Sequence, residues 1–332
     1  MADDTLPDPP ALAPAAPTTS LAILSDTLAP EEVISAVRFA EAAKAANTRL
    51  AYASDWADFC RWAEIRRADP LPCPPGLLCG YLAALAEAGR RASTITRRAA
   101  AIAHYHHAAG YAPPNRNPAV CEVLRGIRHT LGTGPQSKTP ATAELIARIL
   151  AACPATLIGR RDRALIAFGF AGAFRRSELL ALEGADLTAV SDGLRVTIRR
   201  SKTDPYAQGQ EVAIPRGSQL RPVEALEAWL TAAGITAGTL FRPITKGGQI
   251  GPGPLGDDGF VRALKRRAEA AGLDPAAFAG HSLRAGFLTS AAEAGADVLK
   301  MAEVSRHRSM DTLRRYVRRG NLFKDHAGAA FL

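Results

Sequence analysis

Between Gly132 and Pro140 the chain reads GTGPQSKTP, nine residues without an aromatic or branched aliphatic side chain. Such a stretch has nothing to bury, and its glycines and prolines interrupt regular structure, so it reads as an interdomain linker. Before it, every strongly patterned segment is helical. NTRLAYASDWADFCRWAEI sets Leu50, Tyr52, Trp56, Phe59 and Trp62 near the spacings of one helix face. PPGLLCGYLAALAEAG opens on proline and closes at Gly89; STITRRAAAIAHYHHAAG has Ser93 as its N-cap and ends at Gly110; NPAVCEVLRGIRHTLG is a fourth helix. Beyond the linker the pattern is mixed. TAELIARILAAC and IGRRDRALIAFGFAGAFRRSELLAL are helical, but LRVTIRRSKTD alternates and carries β-branched Val196, Thr197 and Ile198. It reads as a strand, with PYAQGQ as a turn and EVAIP as a short return strand. Helices follow near residues 222–233, 258–271 and 282–294. The expected fold is mainly α with a small antiparallel β-sheet. An acidic, Pro-rich flexible tail spans residues 1–30, a helical domain 31–131, the linker 132–140 and a second domain 141–332.

Charge narrows the partner. The net charge is +9, yet residues 1–30 hold Asp3, Asp4, Asp8 and Asp26 with no Lys or Arg, so −4 in the tail leaves +13 on the rest. A surplus of that size suits a polyanion, whose counterions are released on binding. The longest apolar run, ALIAFGFAGAF, is too short to cross a bilayer, and MADDTLPDPP lacks the basic residues of a leader, which points to a cytoplasmic protein without a membrane partner. Cys60, Cys73, Cys79, Cys121 and Cys153 show no CxxC spacing and read as reduced, mostly buried thiols. HYHH, from His104 to His107, lies in an alanine-rich helix without a nearby fourth ligand, so a helix-face or nucleic-acid-facing role is preferred to zinc. No metal site and no cofactor are expected.

Four fragments carry chemistry. In FRRSELLAL, Arg175 and Glu178 are three apart and share a helix face, where the acid orients the guanidinium; a surface ion pair gives the same pattern. In RRSKTD, Lys202 sits where a strand gives way to a hairpin, as a mobile proton donor or a solvated edge lysine. In GHSLRAGF, His281 and Arg284 stand one turn apart at a helix start, with Ser282 as N-cap, and can converge on one anion. In SRHRSMDTLRRYVRRG, His307 precedes a helix capped by Ser309, and Tyr316 lies between two arginine pairs, Arg314 with Arg315 and Arg318 with Arg319. Nearby cations attract phosphate and favour an ionised phenol. Leu313, Tyr316 and Val317 also fit a plain apolar stripe.

Taken in order, Arg175, Lys202, His281-x-x-Arg284, His307 and Tyr316 resemble the catalytic signature of the tyrosine recombinase (phage integrase) family. FRRSELLALEGADL resembles the family's first arginine box, and HSLRAGFLTSAAEAGADVLKMAEVSRHRSMDTLRRYV its second. NTRLAYASDWADFCRWAE and STITRRAAAIAHYHHAAG resemble its helical core-binding domain. The resemblance covers about residues 31–320. One position departs from it: the family commonly has glycine before the last histidine, and here Arg306 stands there.

The resemblance implies a two-domain DNA clamp, a helical (SAM-like) core-binding domain joined to a catalytic domain. It implies site-specific recombination of double-stranded DNA through a covalent 3′-phosphotyrosine on Tyr316, leaving a free 5′-hydroxyl. Arg175 and Arg284 would hold the phosphate, His281 would assist deprotonation of Tyr316, and Lys202 would protonate the departing oxygen. His307 would bond the phosphate and Glu178 would support the cluster. Thr48, Arg49, Arg97 and Arg98 in the first domain, and Lys265, Arg266 and Arg267 in the second, are candidates for DNA contact. The C-terminal NLFKDHAGAAFL would dock on a neighbouring protomer in a homo-tetramer on two DNA sites. A type IB topoisomerase-like relaxase shares this chemistry, and a non-catalytic DNA-binding protein shares the fold; completeness of the six-residue set speaks against the latter.

Overall fold

The computed structural model describes residues 29–42, 45–134, 139–199, 201, 209–307 and 309–320. Nearly all of the tail expected over 1–30 therefore lies outside the described residues, as do Lys202, the PYAQGQ turn up to residue 208 and the docking segment from Asn321. The chain divides into two compact units, residues 1–135 and 136–332.

The first unit is helical throughout: α1 (Pro30–Ala42), α2 (Ala46–Glu64), α3 (Pro75–Glu87), α4 (Ala92–Ala108) and α5 (Pro118–Leu131). Its punctuation follows local chemistry. Pro75 begins α3 at a position that needs no N–H donor, and α5 begins at Pro118, where the Asn117 side chain accepts from Ala119 N–H. Ser93 does not cap α4, which starts at Ala92 with Arg91 in the cap position, so the serine lies exposed inside the first turn. Helices α2 to α5 close around Trp56, Phe59, Leu78, Tyr81, Leu82, Ile95, Ile102, Val120 and Leu124. Trp56 stacks on Tyr105 at 4.6 Å, and Phe59 meets Tyr81 at 5.0 Å. Complete burial of a side chain such as Phe59 or Leu78 contributes about 1.5–3 kcal/mol each. Leu50, expected on the same face, is 69 % exposed, because the core reaches α2 only from Tyr52 onward.

Within HYHH, His106 lies on the inner face of its helix. It is buried; its Nε2 accepts from Cys73 N–H at 2.8 Å and its Nδ1 lies 2.8 Å from the Ile102 carbonyl. The ring thus pins the loop before α3 onto α4, and burial lowers its pKa. His107 is exposed and His104 tilts against Tyr52. The five cysteines are free; Cys73 alone among them is buried, three are half-buried and Cys121 is exposed.

The second unit contains α6 (Ala143–Ala151), α7 (Leu157–Ala171), α8 (Arg176–Leu180), β1 (Leu187–Val190), β2 (Gly193–Ile198), β3 (Gln210–Pro215), α9 (Pro222–Ala233), α10 (Asp257–Ala270), α11 (Ser282–Glu293), α12 (Val298–Ser305) and α13 (Met310–Gly320). The sheet is antiparallel in the order β1-β2-β3, with Leu194 opposite Ile214 and Val196 opposite Val212. On β2, Leu194, Val196 and Ile198 are buried while Arg195 is exposed, the alternation of a sheet covered on one face. The fold is thus mainly α with a small antiparallel sheet, as the pattern implies. Two elements carry no clear sequence signal: β1 is a four-residue edge strand without alternation, and α12 has only eight residues.

α7 explains the apolar run. Ala164 to Phe168 are fully buried, because the helix is the axis around which α6, α9, α10 and α11 pack. Its close contacts set the site. A Cβ at Gly169 would lie 2.8 Å from Leu179 and 3.0 Å from Leu283, so α8 and α11 both approach the backbone of α7. A Cβ at Gly286 would meet the Ala141 carbonyl at 1.8 Å, where the entering chain crosses α11 and Ala141 N–H donates to Ser282 O. These approaches fix the helices that carry Arg175 and Arg284.

Candidate active site

Arg175 occupies the N-cap position of α8, one turn before Glu178. The expected pairing is present and doubled: Arg175 N–H donates to Glu178 Oε2 at 2.9 Å, and its Nη1 donates to Oε1 at 2.5 Å. Ser201, just past β2, donates to Glu178 Oε1 and accepts from Arg175 Nη1, both at 2.8 Å. One carboxylate thereby fixes a guanidinium, a helix start and the end of a strand.

Arg284 is the third residue of α11 and is buried. Its Nη1 donates to the Ala173 carbonyl at 2.7 Å, and its Nη2 lies 3.3 Å from His307 Nδ1 and 3.5 Å from Nε2. Ser282 does not cap this helix. His281 holds the cap position, while Ser282 Oγ accepts from Ala279 N–H at 2.9 Å. His281 itself is exposed at the helix start. His307 follows α12; Ser305 donates to Met301 O at 2.5 Å and stands 2.8 Å from His307 Nδ1, which makes Nδ1–H the donor of that pair.

Arg306 was visible in the sequence only as a departure from a glycine, and the structure places it at the centre. Its guanidinium bonds Glu178 Oε2 at 2.8 Å and lies 5.2 Å from the Phe174 ring centre. The backbone there is left-handed, at φ +56°, a conformation costing a non-glycine residue roughly 1–2 kcal/mol. Ser201 and Ser305 were also missed, since a serine beside a charged cluster carries no spacing signal.

Three guanidiniums, those of Arg175, Arg284 and Arg306, gather around the Glu178 carboxylate. Burial by itself would raise the Glu178 pKa; the Arg306 charge, the Arg175 N–H and guanidinium and the Ser201 hydroxyl outweigh it and hold the acid at about 2. Burial, with Arg175 and Arg306 adding repulsion, pushes Arg284 down to about 9, still charged at neutral pH. Burial and the three arginines push His307 down to about 4, so its ring is neutral at pH 7. The cluster therefore holds two uncompensated positive charges. An open depression of about 460 Å³, lined by Gln210, Glu211, Ala302, Glu303, Arg306 and His307, borders it at the last two residues.

Tyr316 lies on α13, half-buried, within electrostatic reach of Arg284. It packs beside the cluster of Leu288, Ala292, Met301 and Leu313, so the apolar-stripe reading of Leu313, Tyr316 and Val317 holds as well. α13 begins at Met310, directly after Ser309.

The basic residues considered for nucleic-acid contact separate into two sets. Thr48, Arg49 and Arg266 are exposed and Lys265 is half-buried. Arg97 is partly exposed and pairs with buried Asp55 at 2.7 Å. Arg98 and Arg267, also candidates for DNA contact, turn inward. Arg98 is 13 % exposed and bonds Asp58 and the Tyr81 hydroxyl; Arg267 is 8 % exposed and bonds Asp162 at 2.8 Å. Both approach a buried carboxylate, Arg98 that of Asp55 at 3.6 Å and Arg267 that of Asp162. Among the described residues, no group of three or more His, Cys, Asp or Glu side chains is arranged to hold a metal ion, and no helix is long and apolar enough to cross a membrane.

The phage integrase family profile matches residues 141–321. An integrase/recombinase XerD homolog from Selenomonas ruminantium is 39 % identical over 301 residues, 89 % of this chain and 88 % of that protein. The tyrosine recombinase XerC of Rhodospirillum centenum is 28 % identical, over 81 % of this chain and 76 % of its own. Among solved structures, the XerH site-specific recombinase bound to palindromic difH substrate in a post-cleavage complex superposes with a TM-score of 0.59 at 18 % identity, covering 78 % of this chain and 72 % of that one. A lambda integrase dimer bound to a COC′ core site gives 0.54 at 16 % identity, covering 90 % and 92 %. The structural likeness is one of fold; the sequence matches go further, and by them the chain belongs to the phage integrase family and is a site-specific tyrosine recombinase.

Proposed function

We propose that the protein cuts and rejoins double-stranded DNA at specific sites through a 3′-phosphotyrosine on Tyr316. The observation that carries this reading is the buried charge imbalance, three guanidiniums around one carboxylate beside an open depression and a tyrosine. A phosphodiester supplies the missing negative charge, and more of it accumulates on the non-bridging oxygens as the pentacoordinate transition state forms. Arg175 and Arg284 suit those oxygens, because guanidinium forks match phosphate geometry and stay charged.

In the forward step Tyr316 Oη bonds to phosphorus and the bond from phosphorus to the 5′-oxygen breaks. The phenolic proton passes toward His281, and the leaving oxygen takes a proton from Lys202, which lies outside the described residues. Rejoining is the reverse, with a 5′-hydroxyl from the partner strand. One phosphoester replaces another, so no nucleotide is consumed. His307 donates to the scissile phosphate; a bound anion beside it favours its charged form and raises its pKa from about 4. Glu178 keeps Arg175 aimed.

The first unit serves as the core-binding domain, with Thr48, Arg49 and Arg97 its basic surface, and Lys265 and Arg266 add contacts in the second unit. The segment from Asn321 docks on a neighbouring copy to build a tetramer on two sites, and the enzyme works in the cytoplasm on the nucleoid. Deletion of residues 321–332 should abolish synapsis while leaving single-site binding; intact synapsis would end that assembly.

The test of the chemistry begins by selecting the preferred site from a random duplex library. Nicked suicide duplexes carrying it should trap a covalent protein–DNA adduct that Tyr316→Phe eliminates. An adduct that survives Tyr316→Phe would remove Tyr316 as the nucleophile, and strand exchange between two sites distinguishes recombination from relaxation.

A further inference from the structure

At most positions of the site the chain follows the family pattern, and Arg306 is where it does not. The turn adopts φ +56°, ψ 43°, which glycine takes freely. An arginine there is retained against backbone strain, and its side chain is only 2 % exposed. Nη1 donates to the carbonyls of Gly172 at 3.0 Å and Val304 at 2.5 Å, and Nη2 to the Ala173 carbonyl at 3.1 Å and Glu178 Oε2 at 2.8 Å. Its own carbonyl accepts from Arg175 Nη2 at 3.4 Å. The Ala173 carbonyl is the same acceptor that Arg284 uses. Arg306 thus shares a partner with Arg284, shares a carboxylate with Arg175, and is bonded covalently to His307.

We infer that Arg306 is a positioning residue for the strand-cleavage reaction: its buried guanidinium clamps Glu178, the Ala173 carbonyl and the turn into His307 in one register, so that Arg175, Arg284 and His307 face a phosphate together. The inference rests on the proposed DNA-cleavage reading. The Arg306 guanidinium and the Arg175 N–H hold Oε2, while the Arg175 guanidinium and Ser201 hold Oε1. The charged and titratable groups around Glu178 are Arg175 at the start of α8, Arg284 on α11, and Arg306 and His307 after α12, with the Ser201 hydroxyl beyond β2. With Arg306 removed, burial acts on Glu178 against a weaker opposing charge, and the carboxylate becomes easier to protonate. A glycine would relax the turn and keep the backbone carbonyl, but supply none of the guanidinium contacts.

The test compares Arg306→Gly, Arg306→Met and Arg306→Lys with the wild-type full chain. The readouts are single-turnover cleavage of a nicked duplex carrying the selected site from about pH 5 to about pH 9, DNA affinity, Tm, and NMR titration of the His307 imidazole without DNA. Gly and Met variants should cleave about 100-fold more slowly at neutral pH, with DNA affinity changed by less than about threefold. Their acid limb should move to higher pH, and His307 should titrate higher. Lys should restore part of the rate and the pH profile, since it returns the charge without the fork. An Arg306→Gly enzyme with the wild-type rate and profile overturns the inference. So do equal losses in the Lys and Gly variants that follow a lower Tm with an unmoved pH profile. If the wild-type forms no adduct, the cleavage reading fails by itself; the His307 titration still decides the clamp, and an imidazole unmoved in Arg306→Gly rejects it.

Discussion

Each unit of this recombinase buries an ionic network, and the two are built to different balances. In the first unit Asp55 and Asp58 face Arg97 and Arg98, with the Tyr81 hydroxyl bonded into the group. Two acids meet two close bases, and solvated Arg61 approaches Asp58 from outside at 3.7 Å, so the inner part of the group is matched in charge. In the second unit Glu178 alone faces Arg175, Arg284 and Arg306. The acids respond in opposite directions. Burial, helped by the neighbouring Asp58, raises Asp55 despite its arginines, whereas Glu178 is drawn down to about 2 despite burial. The first network ties helices together. The second carries more positive charge than its one carboxylate offsets, which suits the proposed phosphate.

Excess charge does not by itself identify a site. Buried Asp162 also meets three arginines, Arg161, Arg266 and Arg267. There Arg266 is solvated and Arg161 spends a donor on the Arg242 carbonyl. At Glu178 the surplus borders an open depression and a tyrosine, so the charge can be met by a ligand.

The comparison can be broken most decisively at Arg175 and Arg284. Alanine at either should slow single-turnover cleavage by about 10³-fold or more, because each removes a cation from the developing charge. Alanine at Arg98, in the balanced network, should leave the chemical step nearly unchanged and lower Tm instead. Loss of cleavage with Arg98→Ala at normal stability would erase the distinction.

Stability comes next. Glu178→Gln leaves buried guanidiniums facing no carboxylate and should destabilise by about 3–5 kcal/mol in urea titrations. Asp55→Asn should cost only about 1 kcal/mol, since half-exposed Arg97 regains water and Arg98 keeps Asp58. Similar costs for both would mean that balance is irrelevant.

The pH dependences should differ in sign. Glu178 sits at about 2 against an ordinary 4.5, so its stabilisation is present above pH 4.5 and lost as pH falls toward 2. His307 sits at about 4 against 6.5; the unfolded chain takes up that proton first, so stability also declines as pH falls from 6.5 to 4. Asp55 is raised, and protonation on acidification relieves part of its burial cost. Unfolding measured across this range should therefore flatten in Glu178→Gln and steepen in Asp55→Asn.

The smallest effect concerns DNA affinity. Asp55→Asn frees the Arg97 charge and should tighten binding to random duplex about two- to threefold at low salt, with a salt slope steeper by up to about one. An unchanged slope would remove Arg97 from the proposed surface.

Arg175 with Glu178 was legible because an N-cap residue and the acid three positions on, in the first turn, meet whatever the rest of the chain does. The helices α3 and α5 and the β2–β3 pair were legible for the same reason, from proline starts, glycine stops and alternation. Arg284 beside His307 was not: the two are far apart in sequence, and α11 and α12 must pack before they meet. Resemblance to a family supplied that pairing where spacing could not.

The sequence by itself determined the elements, the break near residues 132–140 and the set of residues able to handle a phosphate, because propensity, capping and charge are local properties. Only the tertiary structure decided which arginines gather around Glu178 and which are paired with other carboxylates. Arg98 and Arg267 lie in basic, surface-like stretches yet turn inward, while Arg306, in place of a glycine, becomes the inner support of the site. The reason is that a buried carboxylate recruits whichever guanidinium packing brings within reach, and that choice is made by helix contacts distant in sequence.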